Sequence, residues 1–138
     1  MRVLLDTNVL ISALIKAGKP QHLLDALLKE HHTLLISRPI LEEFSKVAAD
    51  ERIRHYVTSD DATTFLRIVI TRGEVIQVKS RFKLLKSPDD AILRTAYDGQ
   101  ATLIVTGDRH LLELKHFKGI KILTVAQALE AIRFDENS

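Results

Sequence analysis

The chain has 138 residues, enough for one domain with a single core, and its 46% hydrophobic and 28% charged content is ordinary for a globular protein. It contains no cysteine, which excludes disulfides, thiolate zinc sites and cysteine nucleophiles. A net charge of +2 permits an anionic partner such as nucleic acid without requiring one. No apolar run approaches the ~18 residues of a membrane helix and no signal peptide is recognisable, so we expect a cytoplasmic protein.

The first predicted element is a short apolar run, residues 3–5, typical of a central strand that is buried on both faces of a parallel sheet. Thr7 and Asn8 are good N-cap residues and predict a helix that begins at Val9. Asp6 therefore stands at the carboxyl end of a strand, the edge of α/β sheets where ligands bind. An Asx-turn or a helix cap is the competing structural interpretation of Asp6.

The following segments alternate between helical and strand patterns as far as residue 78. Residues 50–58 are charged and fit neither pattern. The remaining segments predict a helix from Pro20, a strand over residues 33–37, a helix from Pro39 through Ala48, a helix from Ser59 closed by Gly73, and a strand over residues 75–78.

After a basic connector, residues 79–86, the alternation resumes. It predicts a helix over residues 87–99, a strand over 102–106, a helical turn over 109–114, a strand over 120–123 and a final helix through residue 132. We expect one domain over residues 1–134 and a polar tail over 135–138. Such alternation indicates an α/β fold, a three-layer α/β/α sandwich with a central parallel sheet of about five strands.

Helix phase separates the two adjacent glutamates of the helix that begins at Pro39. At about 100° per residue, its apolar positions form one arc. Glu42 points almost opposite the centre of this arc and should be solvated, whereas Glu43 lies at the border, where it can face inward. The apolar positions are Ile40, Leu41, Phe44, Val47 and Ala48.

Three further acids are expected at the same edge of the sheet. Ser87 and Asp90 have the spacing of a capping-box-like pair, and Asp89 and Asp90 complement the dipole of the helix that follows. A right-handed crossover into the strand over residues 102–106 also brings this helix N-terminus to the carboxyl edge. Asp108 follows that strand, where it is either a site residue or a cap of the next helical turn.

Carboxylates gathered at one edge repel one another unless a proton or a cation neutralises them. Oxygen ligands, with no cysteine and no histidine at ligand spacing, suit the hard cations Mg²⁺ and Mn²⁺. Such a site suits phosphodiester hydrolysis, in which the metal activates a water and stabilises the leaving oxygen.

Four segments, in this order, resemble the acidic motifs of PIN-domain nucleases. The similarity covers nearly the whole chain and is greatest with the VapC-like branch, the toxin components of toxin–antitoxin systems. It implies an endoribonuclease that depends on Mg²⁺ or Mn²⁺ and acts on single-stranded RNA, usually as a homodimer held by a cognate antitoxin. The four segments are residues 4–10, Ser37 with residues 41–44, residues 88–93 and residues 105–108.

Transferred residue by residue, the resemblance implies a catalytic and metal-binding site of Asp6, Glu43, Asp90 and Asp108. Asn8 and Thr106 would be polar supports that orient the acids or water. The third motif departs from the pattern of many relatives, which have an aspartate where this chain has Ser87 before the proline. A shift of one residue in register would exchange Asp90 with Asp89.

Basic side chains near these motifs are possible substrate contacts. Lys79, Arg81 and Lys83 could contact phosphates, with Phe82 stacking on a base, or they could belong to a solvated connector. Arg109 and His110 directly follow Asp108 and are better placed to touch a substrate.

Two other functions stay open at this stage. One is a catalytically inactive module of the same fold that binds RNA or protein. The other is a phosphatase with Asp6 as its nucleophile. Haloacid-dehalogenase-like enzymes would have an acid two residues after that aspartate, and Asn8 stands there instead.

Overall fold

The computed structural model describes residues 1–29 and 31–137. The N-terminal half contains β1 (Arg2–Leu5), α1 (Thr7–Ile15), α2 (Lys19–Leu27), β2 (Thr33–Ser37), α3 (Arg38–Ala48), α4 (Glu51–Arg54) and α5 (Ser59–Arg72). The C-terminal half contains β3 (Glu74–Ile76), α6 (Ser87–Asp98), β4 (Leu103–Val105), α7 (Arg109–Leu112), β5 (His116–Phe117), β6 (Ile120–Leu123) and α8 (Val125–Asn137).

In the described part of the chain, the strands form one six-stranded sheet in the order β3-β2-β1-β4-β6-β5. All neighbours are parallel except β5 and β6. In the central strand, Leu4 pairs with Leu35 of β2 and with Ile104 of β4. The prediction of an α/β fold around a mainly parallel sheet is confirmed, with six strands in place of about five.

Burial along the central strands shows that both faces of the sheet are covered. Val3, Leu4 and Leu5 point alternately to opposite faces, yet each is at most 1% exposed. The same holds for residues 34–37 of β2. Helices therefore pack on both faces, and the buried apolar side chains form one core cluster around the sheet.

The strand that the sequence did not predict is β5, which pairs with β6 through the two-residue turn Lys118 and Gly119. Both turn residues have positive φ, 49° and 82°, which is the geometry of a tight hairpin turn whose twist matches the strands. A strand of two residues has no alternation to detect, so the sequence pattern continued from the helical turn directly to β6.

Several element boundaries also differ from the predictions. Helix α1 begins at Thr7, with Asp6 as its N-cap residue, rather than at Val9. The unassigned segment contains α4, which Asp50 caps by accepting a hydrogen bond from the amide of Arg52. Helix α8 continues through residues 135–137, where a polar tail was predicted, and Ser138 lies outside the described residues. No helix in the described part of the chain is long and apolar enough to span a membrane.

Candidate active site

Asp6 lies where the central strand β1 turns into α1. Its amide donates to the carbonyl of Val105 at 2.9 Å, which ties the end of β1 to the end of β4. Its own carbonyl accepts the first hydrogen bonds of α1, from Val9 and Leu10. The backbone therefore occupies the cap position, while the side chain makes no capping bond and the residue is 8% exposed. The carboxylate is therefore available for contacts other than a helix cap.

Thr106 connects the two acids that follow β1 and β4. Its hydroxyl donates to Oδ2 of Asp6 at 2.7 Å and accepts from the amide of Asp108 at 2.9 Å. The side chain is fully buried. One hydroxyl therefore fixes both the orientation of the Asp6 carboxylate and the path of the backbone at Asp108.

Asp108 is the N-cap residue of the short helix α7. Its Oδ1 accepts from the amides of His110 at 2.7 Å and Leu111 at 3.4 Å. This capping role is the structural alternative that the sequence left open. The cap uses one carboxylate oxygen, so it is compatible with a second role for the other.

Helix α3 brings Glu43 to the same edge. Ile40, Phe44 and Ala48 bury one face of the helix, and Glu43 lies beside that face at the rim of a cavity. Glu42 points to solvent, as helix phase predicts, and pairs with Arg38 at 2.9 Å one turn away. The two glutamates therefore lie in different environments.

The third motif divides its two aspartates between different surroundings. Asp89 lies on the cavity with Asp6 and Asp108. Asp90 is 2% exposed but does not line this cavity, because its Oδ1 accepts from the amides of Leu84 at 3.0 Å and Leu85 at 2.8 Å. The structure thus brings Asp6, Glu43 and Asp108 together with Asp89, and it does not bring Asp90 to them.

Helix phase explains this division and could have found it. Asp89 precedes Ile92, Leu93 and Ala96 by three, four and seven residues, so it shares their face of α6, which packs on the sheet. Asp90 shares a face with Arg94 and Asp98 instead. That face is covered by the connector, since Arg94 donates to the carbonyl of Phe82 and Asp98 accepts from the amides of residues 79 and 80. Asp90, Arg94 and Asp98 hold the connector against α6, so the predicted capping pair of Ser87 and Asp90 is replaced by this arrangement.

The acids meet in a cavity of about 330 Å³ at the carboxyl edge of the sheet. Ser37, which belongs to the second motif, does not line it and is buried against Thr95. Thr7 and Ser87, for which the sequence predicts only capping roles, are among the polar residues that complete the walls. The lining residues are Asp6, Thr7, Asn8, Pro39, Ile40, Glu43, Ser87, Pro88, Asp89, Ala91, Ile92 and Asp108.

Two of these acids are harder to ionise than an ordinary aspartate. Burial raises the pKa of Asp6, and the carboxylate of Asp108 adds to this, against the hydrogen bond from Thr106. Burial also raises the pKa of Asp89, as do the carboxylates of Asp108 and Asp6, while His110 opposes the shift. The charge of Asp108 therefore contributes to the raised pKa of both Asp6 and Asp89.

The pKa of Asp90 is shifted in the opposite direction. Burial alone would raise the pKa of its carboxyl group, but the amides of Leu85 and Leu84 and the guanidinium of Arg94 outweigh it, so the pKa is lowered. The charge of Asp90 is thus compensated by its neighbours. It needs no cation.

The donor set of the cavity fits a hard divalent cation by its chemistry, since all four acidic side chains offer carboxylate oxygens, and burial together with neighbouring carboxylates raises the pKa of Asp6 and Asp89. Within residues 1–29 and 31–137, however, no three acidic or imidazole side chains already form a close metal-binding cluster. The acids share the cavity without being gathered at one point.

The basic residues have separate positions. Lys79, Arg81 and Lys83 are exposed on the connector and do not line the acidic cavity, and neither does the exposed Arg109. His110 lines a neighbouring cavity that shares Asp89 with the first. Asn8 is exposed at the rim of the acidic cavity.

The PIN domain family matches residues 2–110 of this chain, which include all the cavity-lining residues. The uncharacterized protein MJ1680 of Methanocaldococcus jannaschii is 31% identical over 120 residues, which cover 83% of this chain and 76% of that protein.

Two solved structures have a similar fold. One is VapBC2 from Rickettsia felis bound to a DNA fragment from its promoter, with a TM-score of 0.63 and 19% identity over 90% of this chain and 98% of that one. The other is the PIN domain endonuclease Utp24, with a TM-score of 0.56 and 22% identity over 92% of this chain and 86% of that one. PIN domains are generally nucleases. The match over residues 2–110 shows that this chain belongs to the PIN domain family.

Proposed function

We propose that the protein is a metal-dependent endoribonuclease that hydrolyses phosphodiester bonds of single-stranded RNA with water as the nucleophile. The observation that carries this proposal is the convergence of Asp6, Glu43, Asp89 and Asp108, from four separate segments, on one cavity at the carboxyl edge of the sheet. Membership of a family whose members are generally nucleases supports it.

We assign the binding of Mg²⁺ or Mn²⁺ to these four acids, with Asp89 in place of the predicted Asp90. When bound, such a cation polarises a phosphoryl oxygen and lowers the pKa of an attacking water. The raised pKa of Asp6 and of Asp89 supports the assignment, because a cation removes the repulsion that contributes to both shifts.

The other residues of the site act on the acids. Thr106 holds the Asp6 carboxylate in one orientation and fixes the backbone at Asp108. Asn8, exposed at the rim, is a candidate for orienting water or substrate. Asp90 stabilises the connector beside the cavity instead of acting in it.

We further propose that the protein is the toxin of a toxin–antitoxin pair, acts as a homodimer in the cytoplasm, and is held by a cognate antitoxin. The likeness of fold to VapBC2 supports this role. A small DNA-binding protein encoded directly beside this chain, and its co-purification with it, is the expected observation. Purification of the chain alone from its native host would contradict an antitoxin partner.

The nuclease proposal is tested by incubating a mixed pool of single-stranded RNA with the protein and Mn²⁺, or with EDTA. We expect cleavage with Mn²⁺ only, and its loss in Asp6→Asn and Asp89→Asn. Glu42→Gln is the matched control, since Glu42 faces solvent on the helix that carries Glu43. RNA binding without cleavage would favour the inactive module, and a phosphorylated Asp6 would favour the phosphatase.

A further inference from the structure

A second cavity, of about 280 Å³, adjoins the acidic one and is lined by Leu85, Lys86, Asp89 and His110. Asp89 lines both cavities, so an RNA strand that occupied both would pass over this residue. The volume is close to the lower end of the ~300–1,000 Å³ of small-molecule sites.

The chemistry of the second cavity is the reverse of that of the first. Its lining surface is almost entirely apolar and is formed by Leu85, Lys86, Asp89 and His110, with the exposed Lys86 at its edge. An apolar wall and an aromatic ring are features that bind a nucleobase of a single strand, and the exposed ammonium group of Lys86 carries the charge that a phosphate outside the cavity would pair with.

The wall of this cavity is held in place. The amides of Leu84 and Leu85 both donate to Oδ1 of Asp90, and the carbonyl of Phe82 accepts from Arg94. On the other side, the amide of His110 donates to Asp108. The cavity is therefore bounded by two backbone segments, one fixed by Asp90 and the other by Asp108 of the acidic site.

We propose that this second cavity binds the nucleotide next to the scissile phosphate, with the base against Leu85 and the ring of His110 and its phosphate at Lys86. The assignment of this nucleotide as the one next to the scissile phosphate rests on the proposed nuclease function. Binding of a nucleotide in the second cavity is measurable without any cleavage. The site would make the enzyme selective for single-stranded RNA, since a base is available to a stacking surface only when it is unpaired.

The test is a titration of the ¹⁵N-labelled protein, in EDTA, with each of the four ribonucleoside 5′-monophosphates, followed by amide chemical shifts. We expect saturable shifts at Leu85, Lys86 and His110, with affinity reduced about tenfold in Lys86→Ala and in His110→Ala. Both side chains are exposed, so the variants should keep the fold. Lys121→Ala and His22→Ala, at exposed positions outside both cavities, are the matched controls and should bind as the wild type does.

Two results would overturn the inference: no saturable shift at these amides for any nucleotide, or equal affinity in Lys86→Ala, His110→Ala and the controls. RNA cleavage by the same preparation is scored separately with Mn²⁺. A protein that cleaves RNA but shows no shifts refutes the second site alone. A protein that shows the shifts but cleaves nothing refutes the nuclease proposal and leaves a nucleotide-binding cavity.

Discussion

At the scale of single residues, Asp6 combines a buried carboxylate with a like charge nearby. The folded state raises its pKa, so it holds a proton more tightly there than in the unfolded chain, where the ordinary value is 3.8. Ionisation therefore costs stability as the pH rises from the unfolded pKa through the folded one, and the cost is complete above the folded pKa. A buried carboxylate with a raised pKa lowers the stability of the fold when it is ionised, which is common for residues retained for activity.

Replacing this carboxylate should separate stability from activity. We predict that Asp6→Asn has a free energy of unfolding equal to or above that of the wild type at pH 7 in EDTA, because it removes the cost of ionisation. The difference should vanish by about pH 3, where both side chains are neutral. Activity should fall by about 100-fold or more. Urea unfolding at the two pH values is the measurement, and a large destabilisation at pH 7 would show that the Asp6 carboxylate is a structural cap.

Asp90 should behave in the opposite way. Its pKa is lowered in the fold, so its charge contributes stability above pH 3.8, and that contribution is lost as the pH falls through the folded pKa. We predict that Asp90→Asn lowers the free energy of unfolding by about 1–3 kcal/mol at pH 7, because two amide donors lose an ionised acceptor. The deficit should shrink under acid.

Asp89→Asn is the matched variant for this prediction, because the two aspartates are adjacent on α6. It should keep or increase stability in EDTA and lose activity. An Asp90→Asn protein of unchanged stability and no activity, beside an active Asp89→Asn protein, would contradict the division of roles between them.

At the scale of elements, α6 organises the edge of the sheet through two faces. One face packs on the sheet and carries Asp89 to the cavity. The other carries Asp90, Arg94 and Asp98, which hold the connector.

Phe82 of the connector also packs on Tyr97 and Phe117, with ring centroids 5.9 and 5.4 Å away. The connector is thus held against α6, while its basic side chains remain exposed to solvent.

This arrangement predicts a local effect of Asp98. Its Oδ2 accepts from the amides of Lys79 and Ser80 at 2.7 and 2.9 Å, so Asp98→Ala should release that end of the connector. We expect faster tryptic cleavage after Lys79 and Arg81 under native conditions, with global unfolding little changed. Asp25→Ala, at an exposed acid on α2, is the control. Equal cleavage rates in the two variants would mean that Asp98 does not restrain the connector.

At the scale of the whole molecule, the parallel sheet follows from features that the sequence displays. The apolar runs of β1, β2 and β4 are continuous because both faces of the sheet are covered. This places Asp6 and Asp108 at one edge from chain order alone. Helix phase also places Glu43 correctly relative to Glu42, because the apolar arc of α3 is well defined.

The features that the sequence did not predict depend on contacts between distant segments. The burial of Asp90 comes from the connector, and no local pattern shows that the amides of Leu84 and Leu85 need an acceptor. Strand β5 exists because β6 offers an edge for it to pair with. The position of Asp89 could have been predicted from the sequence, since the helix-phase argument used for α3 applies equally to α6.

Calorimetric titration of Mn²⁺ into the protein tests most directly whether Asp6, Glu43, Asp89 and Asp108 together bind a divalent cation, as we propose. We predict binding in the wild type and in Glu42→Gln, weakened by at least about tenfold in Asp6→Asn and in Asp89→Asn. Asp90→Asn should retain binding. A wild type that binds no Mn²⁺, or equal affinity across all these variants, would contradict the claim.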